Sequence, residues 1–163
     1  MSGLGSAPVP PIAPDDHLLG ATGRGTGEVA IVYADYECPY CAALHARLVA
    51  GHRAWAFRHF PVRSKHPRAW AAACAVEAAA LQGAFEPMHM ALYGDQARLD
   101  DPHLWERAER LGLDVARFDA DRRSEPVLQR VRRDFESGIR AGVVTTPTLF
   151  EHGRIHAIAP PDT

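Results

Sequence analysis

Three cysteines among 163 residues are too few for a disulfide scaffold, so the fold must be held by its core. No stretch approaches the roughly 18 consecutive apolar residues of a membrane span. A net charge of −2 gives no sign of a nucleic-acid or membrane-surface partner. The opening residues lack both the basic and the apolar regions of a signal peptide, so the expectation is a cytoplasmic protein. In a reducing compartment a disulfide that persists is usually catalytic or redox-sensing. Gly20 to Gly27 holds four glycines, but it lacks the Lys-Ser/Thr ending of a phosphate loop and precedes a strand, so it reads as a surface loop. There is no second C-x-x-C to complete a paired-knuckle zinc site.

What the chain does contain is ordinary globular material, 47% hydrophobic and 23% charged, enough for one domain with a core or one domain carrying an insertion. Its organising stretch is Cys38-Pro39-Tyr40-Cys41. Before it runs Val29-Ala30-Ile31-Val32-Tyr33-Ala34, apolar and of strand length. After it come Ala and Leu at helical spacing, closed by Gly51. Cys38 is therefore expected where a strand ends and a helix begins. The unpaired N–H groups and positive end of that helix favour a thiolate, lowering its pKa below about 8.5. Pro39 suits the first helical position. Cys38 is expected to be exposed and to attack disulfides; Cys41, one turn deeper on the same face, to resolve the mixed disulfide. The competing reading is a zinc half-site: Cys38, Cys41 and His45 with a fourth ligand from Cys74 or His89.

Along the chain, residues 1–14 carry four prolines and read as a flexible arm, and 15–20 as a segment that docks on the domain. Strands are expected at 29–36 and 54–60, parallel to each other and joined by a helix over 39–50. Helices are expected over 66–82 and 85–93, then from an Asp101 cap to Gly112, from Asp114, and from Ser124. The last has Val127, Leu128, Val131, Phe135 and Ile139 as its apolar stripe. Val143 to Phe150 is strand-like but contains Pro147, which argues for an edge, a bulge or a special turn. Strands at 148–151 and 154–158 flank a His152-Gly153 turn.

Asp35-Tyr36-Glu37-Cys38-Pro39-Tyr40-Cys41, then Phe57-Arg58-His59-Phe60-Pro61, the Ala-rich run from His66 to Met88-His89, and Thr146-Pro147 before a strand together resemble the DsbA-like branch of the thioredoxin superfamily over about residues 15–158. The resemblance implies an α/β thioredoxin-like fold with a mixed sheet. Residues 15–63 would form its first half, 64–142 an inserted helical subdomain, and 143–163 its second half with a cis-proline loop and hairpin. It implies a thiol–disulfide oxidoreductase acting on protein or small-molecule disulfides and thiols. Cys38 and Cys41 would be catalytic, Pro39, Tyr40 and Pro147 supporting, and Thr146 would pair its backbone with substrate. No cofactor is implied beyond the Cys38–Cys41 disulfide, recycled by glutathione or a reductase. The alternative is a zinc-holding or redox-gated binding module on the same fold.

Three departures from that branch carry expectations. Its buried Glu six residues before the first cysteine is Val32 here, leaving Asp35 or Glu37 as the nearest substitutes. Pro-Tyr between the cysteines matches glutaredoxins and points to a potential of about −200 to −230 mV rather than about −120 mV. The covering C-terminal helix has no counterpart, so the expectation for that sheet face is the arm, a second subunit in a homodimer, or an exposed apolar patch. Cys74, Met88, Met90 and Trp70 are expected in the core, and His59 and His66 in structural or groove-lining roles.

Overall fold

Ala30–Ala34 is buried at every position because this strand (β2) lies in the middle of a sheet with both faces covered. The computed structural model describes residues 6–20 and 28–158. Around β2 stand β1 (His17–Leu19), β3 (Trp55–His59), β4 (Thr148–Glu151) and β5 (Arg154–His156). Their order is β1-β3-β2-β4-β5, with β2 and β3 parallel and every other pair antiparallel. Alternation sorts the side chains. Ala30, Val32 and Ala34 join Trp55, Phe57 and Leu149 in one core, while Ile31 and Tyr33 join Ala56 and Phe150 in another. β4 and β5 turn through His152 and Gly153, both at positive φ, the backbone of a two-residue hairpin turn. β5 is shorter than its expected 154–158.

Helix α1 (Pro39–Ala50) joins β2 to β3. Between β3 and β4 come α2 (Ala69–Ala80), α3 (Phe85–Gly94), α4 (Asp101–Arg110), α5 (Val115–Asp121) and α6 (Glu125–Arg140). α2 is alanine on most sides, with Glu77 its one charged residue, and packs against α3, α5 and α6 at once, as a helix apolar nearly all round must. Cys74 sits in its own cluster with Ala73, Val127 and Val131, as expected of a small buried hydrophobe. Met88 is buried, but Met90 faces outward, because α3 buries only one stripe. α4 starts one residue earlier than the Asp101 cap predicts, with Asp100 at the cap and Asp101 paired to Arg122 instead. Asp114 caps α5 by accepting from the Arg117 N–H.

α6 departs most from its sequence stripe. Val127 and Val131 are buried, yet Ile139 is 54% exposed, while Asp134, Ser137 and Gly138 turn inward. The helix crosses the sheet so closely that a Cβ at Gly138 would lie 2.7 Å from Phe60 and 2.9 Å from Tyr33. Ser137 Oγ lies 2.8 Å from Tyr33 OH, and Asp134 accepts from the His59 N–H. Polar groups thus seat a face that periodicity alone assigned to Ile139.

Residues 15–20 do more than dock. His17–Leu19 extends the sheet as an edge strand on β3. Residues 6–14, expected to be free, are tied down: the Ala7 N–H donates to Arg140 O, and Arg58 donates to Pro10 O and Pro11 O. Arg58 also holds Asp16 with a bidentate pair at 2.8 and 3.0 Å. Val9 packs on the second core cluster. α6 and this arm cover the sheet face for which a second subunit or an exposed patch was the alternative. The glycine loop over 21–27, the first five residues and 159–163 lie outside the described residues.

Candidate active site

The strand-to-helix junction forms because β2 ends at Ala34 and Pro39 starts α1 with helical φ and no N–H to waste. Cys38 is the N-cap residue, with extended backbone and no side-chain cap. The turn before it is pinned. Asp35 accepts from the Glu37 and Val62 N–H groups, Tyr93 donates to Asp35 O, and Gln96 Nε2 donates to both Tyr36 O and Cys38 O at 2.9 Å. Gln96 and Tyr93 were not singled out from the sequence, because they reach the turn from the helical insertion about 58 residues away.

Contrary to expectation, Cys38 is not exposed: it and Cys41 each keep 2% of their surface. The Thr146–Pro147 loop lies over the first thiol, and Cys38 Sγ stands 3.6 Å from Thr146 O. The Thr146–Pro147 peptide is cis. Tyr40 beside the thiol is 58% exposed, and Val144 in the facing loop is 91% exposed.

Electrostatics separate the two sulfurs. The Cys38 pKa falls to about 6, first through a hydrogen bond from the Cys41 thiol. Burial opposes this, and the Thr146 side chain and the N–H groups of Cys41 and Tyr40 add to it. The neighbouring thiol, more than the helix end, is thus the principal cause. Cys41 moves the other way: burial pushes it far up, and the hydrogen bond to Cys38 and the charge there reinforce the shift. One sulfur is disposed to be a thiolate, the other to keep its proton. Cys74 is raised to about 11, chiefly by burial, and does not join them.

The acidic substitutes for the missing Glu are occupied. Glu37 binds the Arg68 N–H and guanidinium, and Asp35 Oδ2 faces His66 Nδ1 at 2.9 Å. His66 is thereby tied to the turn. His59 is buried instead, its Nε2 2.7 Å from the Glu77 carboxylate that also holds His17. Beneath Cys41, His45 meets His89 at 3.3 Å, and His89 meets Tyr36 OH at 2.8 Å. Among the described residues no group of three or more His, Cys, Asp or Glu could hold a metal ion, so the zinc set Cys38–Cys41–His45 does not come together.

A family described as the DSBA-like thioredoxin domain matches residues 59–161. The Na(+)/H(+) antiporter NhaA 1 of Mycolicibacterium gilvum is 38% identical over 156 residues, 90% of this chain but 25% of the antiporter. The chain thus spans about a quarter of the length of the curated relatives it matches. Among solved structures, a thioredoxin-like oxidoreductase from Silicibacter pomeroyi superposes with a TM-score of 0.75 at 24% identity, over 88% of this chain and 83% of that one. BdbD from Bacillus subtilis gives 0.73 at 15% identity, over 93% and 89%.

Proposed function

Because the chain belongs to the DSBA-like thioredoxin domain family, we propose that it exchanges thiols and disulfides through Cys38 and Cys41. The observation that carries this reading is the geometry of the two sulfurs, Cys38 at the N-cap of α1 with Sγ 3.6 Å from Thr146 O and Cys41 buried on the first turn, which lowers the first thiol to about 6 and raises the second. At pH 7 a thiol of that pKa is roughly nine-tenths thiolate, against a few per cent for an ordinary cysteine. The Cys38 thiolate attacks one sulfur of a substrate disulfide, and the other sulfur leaves as a thiolate. Cys41 then attacks the Cys38 sulfur, closing the Cys38–Cys41 disulfide and releasing the second substrate thiol. The substrate leaves reduced by two electrons and the pair oxidised by two; run backwards, the pair oxidises a dithiol.

The cover over Cys38 by the Thr146–Pro147 loop favours an extended polypeptide or a small thiol as substrate, with Thr146 supplying backbone contacts and Pro147 shaping the wall. Direction follows the compartment's redox poise: reduction in a cytoplasm, oxidation elsewhere. Glutathione or a reductase would recycle the pair. In a longer protein of the antiporter kind, the unit would act on cysteines of the attached or a neighbouring chain. No described helix is long and apolar enough to cross a membrane.

Disulfide-reductase turnover on insulin, with dithiothreitol as electron source, tests the reading. Wild type should turn over, and Cys38→Ser should lose all activity while keeping its circular dichroism. Equal activity in wild type and Cys38→Ser would refute the assignment.

A further inference from the structure

On the dithiol reading above, on which this inference rests, resolution requires Cys41 to give up a proton that its burial holds tightly. The position six residues before Cys38 is Val32, which cannot take it, and Asp35 and Glu37 are committed to Val62, His66 and Arg68. Directly below Cys41 lies a small, mostly apolar cavity, with Val32, Trp55 and Phe57 among its walls and His45, His89 and Tyr93 as its polar ones. Its open volume, about 10 Å³ for the centre of a water, is the room of one water molecule.

His45 stands four residues after Cys41 on α1, so both project from one helix face. In the tautomer that leaves Nε2 without a proton, its Nδ1–H donates to His89 Nε2 at 3.3 Å, and His89 Nδ1–H donates in turn to the Tyr36 hydroxyl oxygen at 2.8 Å. The Tyr93 ring stacks on His45 at 5.0 Å. These contacts fix the imidazole and leave Nε2 to exchange protons. The ring is half-buried, so it borders the cavity on one side and solvent on the other.

We propose that His45 accepts the Cys41 proton, relayed by one water in this cavity, as Cys41 attacks the mixed disulfide, and passes it to solvent. The Cys41 S–H bond breaks, the Cys41–Cys38 bond forms, the Cys38–substrate bond breaks with its electron pair leaving on the substrate sulfur, and the proton ends on His45 Nε2. The titratable groups facing His45 and Cys41 are His89 and Tyr93 from α3, Asp35 and Tyr36 from the turn before α1, and Cys38; Trp55 from β3 is uncharged. Burial lowers the His45 pKa from 6.5 and that of His89 further, so both are neutral and His45 can accept at pH 7.

Single-turnover reaction of the reduced protein with glutathione disulfide, quenched with acid and followed by mass, separates the two steps. In His45→Gln, glutathione should add to Cys38 at the wild-type rate. Its release by Cys41 should slow on the order of 10²-fold at pH 7, and the rate should climb with hydroxide where wild type levels off. In His45→Ala, added imidazole should recover part of the loss. Resolution at the wild-type rate, or slowed equally at every pH, would leave His45 a packing residue and overturn the proposal. A wild type that takes up glutathione and never forms the Cys38–Cys41 disulfide would overturn the dithiol reading itself.

Discussion

Cys38 depends on Cys41 before any disulfide exists, because the Cys41 thiol is the first cause of its low pKa. Cys41→Ala should therefore move the pH midpoint of Cys38 alkylation from about 6 toward an ordinary value of about 8.5. A variant still near 6 would return the effect to the helix end. The same shift couples to stability. The Cys38 pKa is lower folded than unfolded, so its contribution is complete above the ordinary thiol pKa and is lost as pH falls toward about 6. Cys41, shifted upward, opposes this only above the ordinary thiol range. Urea midpoints of the reduced protein, wild type minus Cys38→Ser, should therefore grow between pH 6 and 8.5; a flat difference would contradict the shift. The cysteine pair was legible in the sequence because strand, thiol, proline and helix are local. The burial of Cys38, and Gln96 above it, were not, since both come from distant chain folding back.

Among the elements, β1 and α6 show what patterning misses. β1 is three residues long, too short for an alternation signal, and stands because His17 and Asp16 find buried partners in Glu77 and Arg58. Glu77 accepts from His17 and His59 at 2.7 Å each; burial raises its pKa, but these two bonds more than offset that and hold the carboxyl below the usual range. Its contribution is therefore present above about pH 4.5 and is lost as pH falls below that. Glu77→Ala should cost about 3 kcal/mol at neutral pH, read by denaturant titration; a loss under 1 kcal/mol would mean the two histidines find other partners. At Gly138 two effects compete. Alanine gains up to about 1 kcal/mol of helix propensity, but overpacking against Phe60 and Tyr33 costs about 1–3 kcal/mol. Those rings are packed edge to face in the core and cannot yield freely, so Gly138→Ala should destabilise. A raised melting temperature would show that α6 can shift outward. The inward glycine reads in sequence as a mere helix weakness.

For the molecule as a whole, Arg58 is the knot between arm, edge strand and sheet, donating to Pro10, Pro11, Asp16 and Tyr33. Arg58→Met should free residues 6–14 for proteolysis and lower stability by about 3–5 kcal/mol, as one charge of a buried pair is stranded. An arm that stays protected would show that Ala7 and Val9 suffice. The layered order, with helices between the third and fourth strands, was readable from periodicity and from the Cys-Pro-Tyr-Cys and Thr-Pro strings; what covers the second sheet face was not, because it depends on Asp134, Ser137 and the arm. All of this scaffolding holds one arrangement, a thiol disposed to ionise and a buried one that keeps its proton. Its most direct test is peptide mass mapping after reduced protein meets glutathione disulfide. Wild type should end with Cys38 joined to Cys41, and Cys41→Ala should keep glutathione on Cys38 alone. Glutathione on Cys41 in the wild type, on Cys74 in either protein, or on no cysteine of Cys41→Ala would contradict the account.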